Sequence, residues 1–341
     1  RWMRFVCSVM SAANLNLGQD VEHHHHNESC ARTRTHIIEA KEFYDEESKT
    51  IDAIGEKTTE MPDLSGHLSL KSLILRQNFI PKIVNLSSLT ELTHLDLYEN
   101  AFSKIEGLKQ LTSLTWLDLS FNGIRTIEGL DTLSEIVELY FVNCKIKEIS
   151  NLGHLKKMTL LELGANRIRK IENLEGLDNL EQLWLGKNKI QHIEGLDTLV
   201  NLRRLDVQSN RIVDIGNGLK CLINLTELYM SHNGISKIEG LQTLVRLTTL
   251  DLGANKIEKL DNLQTLTLLE ELWINDNKIA SFDDLNPVRN CATLKTIYLE
   301  RNPVQLNSVP ALYKTTILNL FPTLTQLDAL PLPSGRGRIE E

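Results

Sequence analysis

Apolar and polar positions along this chain repeat on a period far longer than that of a helix or a strand. The pattern L-x-x-L-x-L-x-x-N begins at Leu70, Leu73, Leu75 and Asn78. It returns as Leu92, Leu95, Leu97 and Asn100, and again as Leu114, Leu117, Leu119 and Asn122. The closing position falls at residues 78, 100, 122, 144, 166, 188, 210, 233, 255, 277 and 302, and all are Asn except Cys144. Six intervals of 22 residues are followed by one of 23, two of 22 and one of 25, which makes eleven repeats. Self-similarity at this period marks a repeat architecture, in which each unit buries its apolar face only against its neighbours.

Each position of the repeat has a physical task. In L-x-L the two leucines point the same way from a short strand, because side chains alternate across its faces. They enter the core and the intervening residue faces out. The Asn amide can satisfy backbone groups buried where the chain turns away from the strand. Stacked copies predict an asparagine ladder, interrupted and loosened at Cys144. The second half of each repeat reads K-I-x-x-I-E-G-L-x-x-L, as from Ile124 to Leu133, with its apolar residues also facing inward. A repeat of 22 residues leaves room there for turns or 3₁₀ pieces and not for full helices. The pattern predicts the α/β class: a right-handed leucine-rich-repeat solenoid, with a concave parallel β-sheet and a convex side of short turns and 3₁₀ segments. The two insertions, at Gly216-Asn217-Gly218 and between Phe282 and Asn290, fall on the outer side.

A solenoid needs covered ends. Residues 303–330 read as a C-terminal cap, with Leu312, Thr316 and Leu320 on one face of an amphipathic helix and Leu324-x-x-Leu327-Asp328 as a last strand-like piece. Residues 41–69 read as a degenerate repeat forming the N-terminal cap, anchored by Ile51, Ile54 and Leu64. The eleven repeats span 70–302, and the polar segments 1–40 and 331–341 are expected to be disordered tails. A short apolar stretch within RWMRFVCSVMSAA has the look of a signal peptide; the plainer reading is an upstream extension, with translation starting at Met3 or Met10.

Charge and cysteine usage narrow the function. A net charge of −8 disfavours a nucleic-acid backbone as partner, since phosphates demand a Lys/Arg surplus. Five scattered cysteines without a C-x-x-C argue against a disulfide framework or zinc site and for a reducing compartment. No apolar run approaches the roughly 18 residues of a membrane span. We expect no metal and no cofactor. The run His23 to His26 is read as inert, and the sequons at Asn27, Asn85 and Asn224 carry no meaning in a cytosolic protein.

The x of L-x-L forms the central outward column. It reads Ile74, Asp96, Asp118, Tyr140, Glu162, Trp184, Asp206, Tyr229, Asp251, Trp273 and Tyr298. After the first, every residue is an acid or a large aromatic. Strand propensity explains aromatics but not acids, because Asp is poor in strands. Aromatics make up only 5% of the chain, so five of them in one column point to an interface. One flanking column adds Trp116, Glu138, Arg204, Glu227 and Glu271; the other adds Arg76, Tyr98, Glu300 and the glycines Gly164, Gly186 and Gly253. Those glycines either lower the surface to admit a partner or ease strand curvature. Catalysis finds no support: the acids are spaced by repeat and do not pair, and no phosphate loop, G-x-S-x-G or H-E-x-x-H occurs.

The stretches LILRQN (73–78), LDLYEN (95–100), LDLSFN (117–122), LELGANRI (161–168), LYMSHNGI (228–235) and IYLERNP (297–303) resemble the regulatory-subunit-7 family of protein phosphatase 1, its leucine-rich-repeat regulatory subunits. The resemblance covers about residues 68–330 and includes the repeat number. It implies a non-enzymatic regulatory subunit whose concave face binds the phosphatase catalytic subunit, alone or with a further inhibitor subunit, in nucleus and cytoplasm. Matched by motif, the binding residues implied are Asp118, Tyr140, Glu162, Trp184, Asp251, Glu271, Trp273 and Tyr298. Asp206 and Tyr229 complete the same column. Tyr140 and Trp184 stand where the family commonly has Phe, and the family's acidic N-terminal tail has no convincing counterpart. The alternative reading is an adaptor of the same repeat type serving a splicing or cytoskeletal complex.

Overall fold

The computed structural model describes residues 47–332. The segments expected to be disordered tails, and the run His23 to His26, lie wholly or mostly outside that range. Each repeat contributes one three-residue strand, because only L-x-L alternates before the chain turns. The strands are β1 (Thr50–Asp52), β2 (Ser72–Ile74), β3 (His94–Asp96), β4 (Trp116–Asp118), β5 (Glu138–Tyr140) and β6 (Leu160–Glu162). They continue as β7 (Gln182–Trp184), β8 (Arg204–Asp206), β9 (Glu227–Tyr229), β10 (Thr249–Asp251), β11 (Glu271–Trp273) and β12 (Thr296–Tyr298). Two short strands, β13 (Gln326–Leu327) and β14 (Leu330–Pro331), close the sheet. Strand order follows chain order throughout; pairing is parallel except between β13 and β14. The chain is thus a parallel leucine-rich-repeat solenoid, and among the described residues helix is confined to its C-terminal part.

The leucines form one continuous core: Leu95, Leu97, Leu117, Leu119, Leu161 and Leu163 are fully buried, as are their counterparts in neighbouring turns. The asparagine ladder runs beside it. The Asn166 amide nitrogen donates to Phe141 O at 2.7 Å in the preceding turn and to Leu163 O at 3.0 Å in its own. Its oxygen accepts the Ile146 N–H at 3.1 Å. The residue before each ladder position takes a positive φ without being Gly, as at Glu99 (54°), Ala165 (55°) and Asp276 (53°). Such a conformation costs on the order of 1 kcal/mol or more, and the amide bonds on either side hold it in place. Cys144 retains one contact, its thiol donating to Leu119 O at 3.4 Å, and burial pushes that thiol up to about 11.

On the outer side the turn after I-E needs a left-handed residue. Gly107, Gly129, Gly195 and Gly240 supply it. Elsewhere Asn takes the place: Asn151 and Asn173 adopt φ of 58° and donate their side-chain amides to Ile127 O and Ile149 O, each at 2.7 Å. The longer insertion forms a 3₁₀ helix, Phe282–Val288, started by a capping box between Ser281 and Asp284.

At the C-terminal end, α1 (Pro303–Leu306) and α2 (Pro310–Leu320) lead into β13. The buried face of α2 is Tyr313 and Ile317, and Leu312, expected on that face, is 58% exposed. The reason is Asp328. It accepts the Leu299 and Glu300 N–H groups at 2.7 and 2.9 Å and the Tyr313 hydroxyl at 3.0 Å, which turns α2 to bring Tyr313 inward. At the N-terminal end Ile51 and Leu64 are buried as expected, but Ile54 is exposed and Ala53 and Met61 fill the core instead. His67 is buried three residues before Leu70, at a position Leu89 and Leu111 fill in the next two turns.

Candidate partner-binding face

The parallel register places the central column in one row across the sheet. Asp118 pairs with Tyr140, Tyr140 with Glu162, Glu162 with Trp184 and Trp184 with Asp206. The row continues through Tyr229, Asp251, Trp273 and Tyr298. From Asp118 to Trp273 acids and aromatics therefore alternate strictly, so each carboxylate from Glu162 onward stands between two rings.

That alternation changes the character of the acids. Read from sequence they face a partner, but Asp206 and Asp251 are only 3% and 5% exposed, and Tyr229 is buried as well. Each acid curls back along its own chain and accepts the N–H two residues on, in an Asx-type turn or its Glu equivalent. Asp118 accepts from Ser120 at 2.8 Å, Glu162 from Gly164 at 3.0 Å, Asp206 from Gln208 at 2.9 Å and Asp251 from Gly253 at 2.9 Å. This explains two of the glycines. A Cβ on Gly164 would stand 2.7 Å from the Glu162 carboxylate, and one on Gly253 would stand 2.9 Å from the Asn275 amide oxygen and 3.3 Å from the Asp251 carboxylate. The room that glycine leaves is taken by these side chains, not held open for a partner.

Burial beside the rings pushes Glu162 up to about 8 and Asp118 and Asp206 up to about 6; Asp251 moves the same way. The tyrosines are tethered by the flanking column: the Tyr140 and Tyr229 hydroxyls donate to Glu138 and Glu227 at 2.6 and 2.7 Å. Burial, then these carboxylates, raises both phenols.

At the C-terminal end of the row Trp273 lies 5.5 Å from Tyr298 and 6.5 Å from Tyr229, edge to face in both cases. Gln326, in the last parallel strand, donates to the Tyr298 hydroxyl at 2.5 Å and fixes that ring. The Trp273 indole N–H is buried without an acceptor among the described residues. Glu271, two residues before Trp273 on the same strand, is half-buried on this face. In the middle of the row Arg204 packs over Trp184 at 5.0 Å and Tyr229 at 5.8 Å and forms an ion pair with Glu227. Sequence reading missed Gln326 and the Arg204 clamp, because both depend on which side chains neighbouring turns bring together. Among the described residues no group of His, Cys, Asp and Glu is arranged to hold a metal ion, and no helix is long and apolar enough to cross a membrane.

The geometry agrees with known proteins at the level of fold. Residues 156–212 match a leucine-rich-repeat family model, and residues 223–265 match a second model of two leucine-rich-repeat copies. No catalytic family is indicated. No curated protein matches the chain by sequence. Among solved structures it is similar to an internalin, InlF, of Listeria monocytogenes, with a TM-score of 0.66, 24% identity, and coverage of 83% of this chain and 87% of that one. It is also similar to the leucine-rich-repeat protein LIC12759 of Leptospira interrogans, with a TM-score of 0.65, 23% identity, and coverage of 79% and 75%. These likenesses define a leucine-rich-repeat solenoid.

Proposed function

We propose that this chain is a non-catalytic regulatory subunit that binds the protein phosphatase 1 catalytic subunit through its strand face and controls its activity, assembly or localisation in nucleus and cytoplasm. The observation that carries the reading is the unbroken row of alternating acids and aromatics from Asp118 to Trp273, ended by Tyr298. Large aromatic anchors dominate the energetics of protein interfaces. Acids on this face (among them Glu138, Glu227, Glu271 and Glu300) outnumber its bases, Arg76 and Arg204. That balance favours a basic partner surface and steers its approach. Residues matched to the family's binding motif all fall on this one face. The test is to mix the purified chain with the phosphatase catalytic subunit and measure affinity, then activity of the complex. No binding at micromolar concentrations of both proteins removes the reading.

A second reading, an adaptor for another protein complex, is favoured by a separate surface. Val200, Ile223 and Val245 occupy the same position in three consecutive repeats and are 44%, 52% and 50% exposed. A cross-linked assembly that leaves the strand face open and covers this ridge would favour the adaptor.

A further inference from the structure

The N-terminal third of the strand face is built differently from the rest. Here two acids, Asp96 and Asp118, are neighbours in the central column with no ring between them. Aromatic side chains stand on both sides of the pair instead. Residues two apart on a strand project from the same face about 7 Å apart, so Asp96 stands between His94 and Tyr98, and Asp118 between Trp116 and Ser120. On one side His94 stacks on Trp116 at 4.0 Å, and Trp116 leans on Tyr140 at 5.3 Å. On the other side Tyr98 packs against Phe121 at 4.8 Å. Tyr140, next in the row after Asp118, closes the C-terminal end. The result is a trough with a floor of two carboxylates and walls of rings.

The protein fills one end of this trough itself. The Arg76 guanidinium lies 4.5 Å over the Tyr98 ring and 3.4 Å from the Asp96 carboxylate. Arg204 repeats the arrangement farther along, over Trp184 and paired with Glu227. On this face, then, a guanidinium sits over a ring with an acid beside it, an arrangement that suits a planar, weakly hydrated cation. The other end of the trough, Asp118 with Trp116 on its own strand and Tyr140 next in the row, has an acid and rings as well, yet among the described residues Asp118 makes no ion pair.

We propose that the Asp118 end of this trough is a binding site for the guanidinium of an arginine side chain presented by a protein partner. The inference rests on reading the strand face as a partner-binding surface, and names the chemistry of one contact. The carboxylate accepts the guanidinium edge while the rings cover its faces. Burial pushes the Asp118 carboxyl up to about 6, a desolvation that a cation beside it would relieve. Arginine is preferred to lysine because an ammonium is more strongly hydrated and cannot lie flat between rings.

The test uses the full chain and small probes, without any partner protein. N-acetyl-arginine amide is titrated while the indole N–H resonance of Trp116 is followed, identified by its absence in Trp116→Phe. A saturable shift is expected, with the lysine counterpart at least about 5-fold weaker. Asp118→Asn, which keeps an acceptor for the Ser120 N–H and so preserves the turn, should weaken arginine binding about 10-fold or more. Trp273→Ala, far along the row, should leave it within about 2-fold. No saturable shift, an undiminished shift in Asp118→Asn, or equal binding of lysine overturns the proposal. Phosphatase affinity of Trp273→Ala is measured separately, so failure of the proposed partner and failure of this site are told apart.

Discussion

The rings of Tyr229 and Trp273 stand 6.5 Å apart, edge to face, although the strand carrying Asp251 lies between theirs. Two strand spacings amount to about 9.6 Å, so the rings lean toward each other, above an Asp251 that is 5% exposed. Trp273 therefore has two tasks: it presents an aromatic surface and it roofs an acid. Trp273→Ala should cost about 2–4 kcal/mol of affinity for the phosphatase catalytic subunit. Because the indole points away from the leucine core, the melting temperature should move little. Isothermal titration and a thermal melt on one sample check both, and full affinity with an intact fold would take this part of the face out of the interface.

The ladder predicts a stability cost with a specific cause. Asn166→Ala leaves the Ile146 N–H and the Phe141 and Leu163 carbonyls without their amide partner. Unfolding in urea should show a loss of roughly 1–3 kcal/mol. A near-neutral result would mean that those backbone groups find other partners and that the ladder is incidental.

Cys144 offers the converse experiment. It makes one thiol contact where Asn166 makes three amide contacts of 3.1 Å or less. Cys144→Asn should complete the ladder and raise stability by about 0.5–1.5 kcal/mol. An equal loss instead would show that this turn has packed around the smaller thiol.

Buried acids set a pH dependence of definite sign. In the folded protein Glu162 titrates at about 8, and Asp118 and Asp206 at about 6. Unfolded carboxyls titrate near about 4. Between those values the folded state holds protons that the unfolded chain has released, so these groups make stability fall as pH rises. Melts at about pH 8.5 should therefore gain from Glu162→Gln, on the order of 1–3 kcal/mol, because Gln still accepts the Gly164 N–H without the buried charge. The gain should shrink as pH falls and disappear near about pH 4, where Glu162 is protonated in the folded and unfolded chain alike. A gain that persists unchanged at low pH would assign it to packing and not to charge.

Sequence alone determined the solenoid. Leucine, asparagine and the spacing between them dictate where each strand starts, which side it buries and where the chain turns, because these are local demands repeated in every unit. The central column was legible for the same reason: alternation along a strand says which residues face outward. The length of the insertions was legible too, and the structure places the longer one in a 3₁₀ helix. What tertiary structure decided is what lies beside what. The burial of Asp206 and Asp251, the tether from Gln326 to Tyr298, the clamp on Arg204 and the trough at Asp118 all join residues from different turns. The face of α2 was decided the same way, by Asp328 drawing Tyr313 inward and leaving Leu312 in solvent. Period and composition fix the position of a side chain within its repeat. Its exposure and charge state depend on how far the rings in neighbouring repeats lean, and only packing sets that.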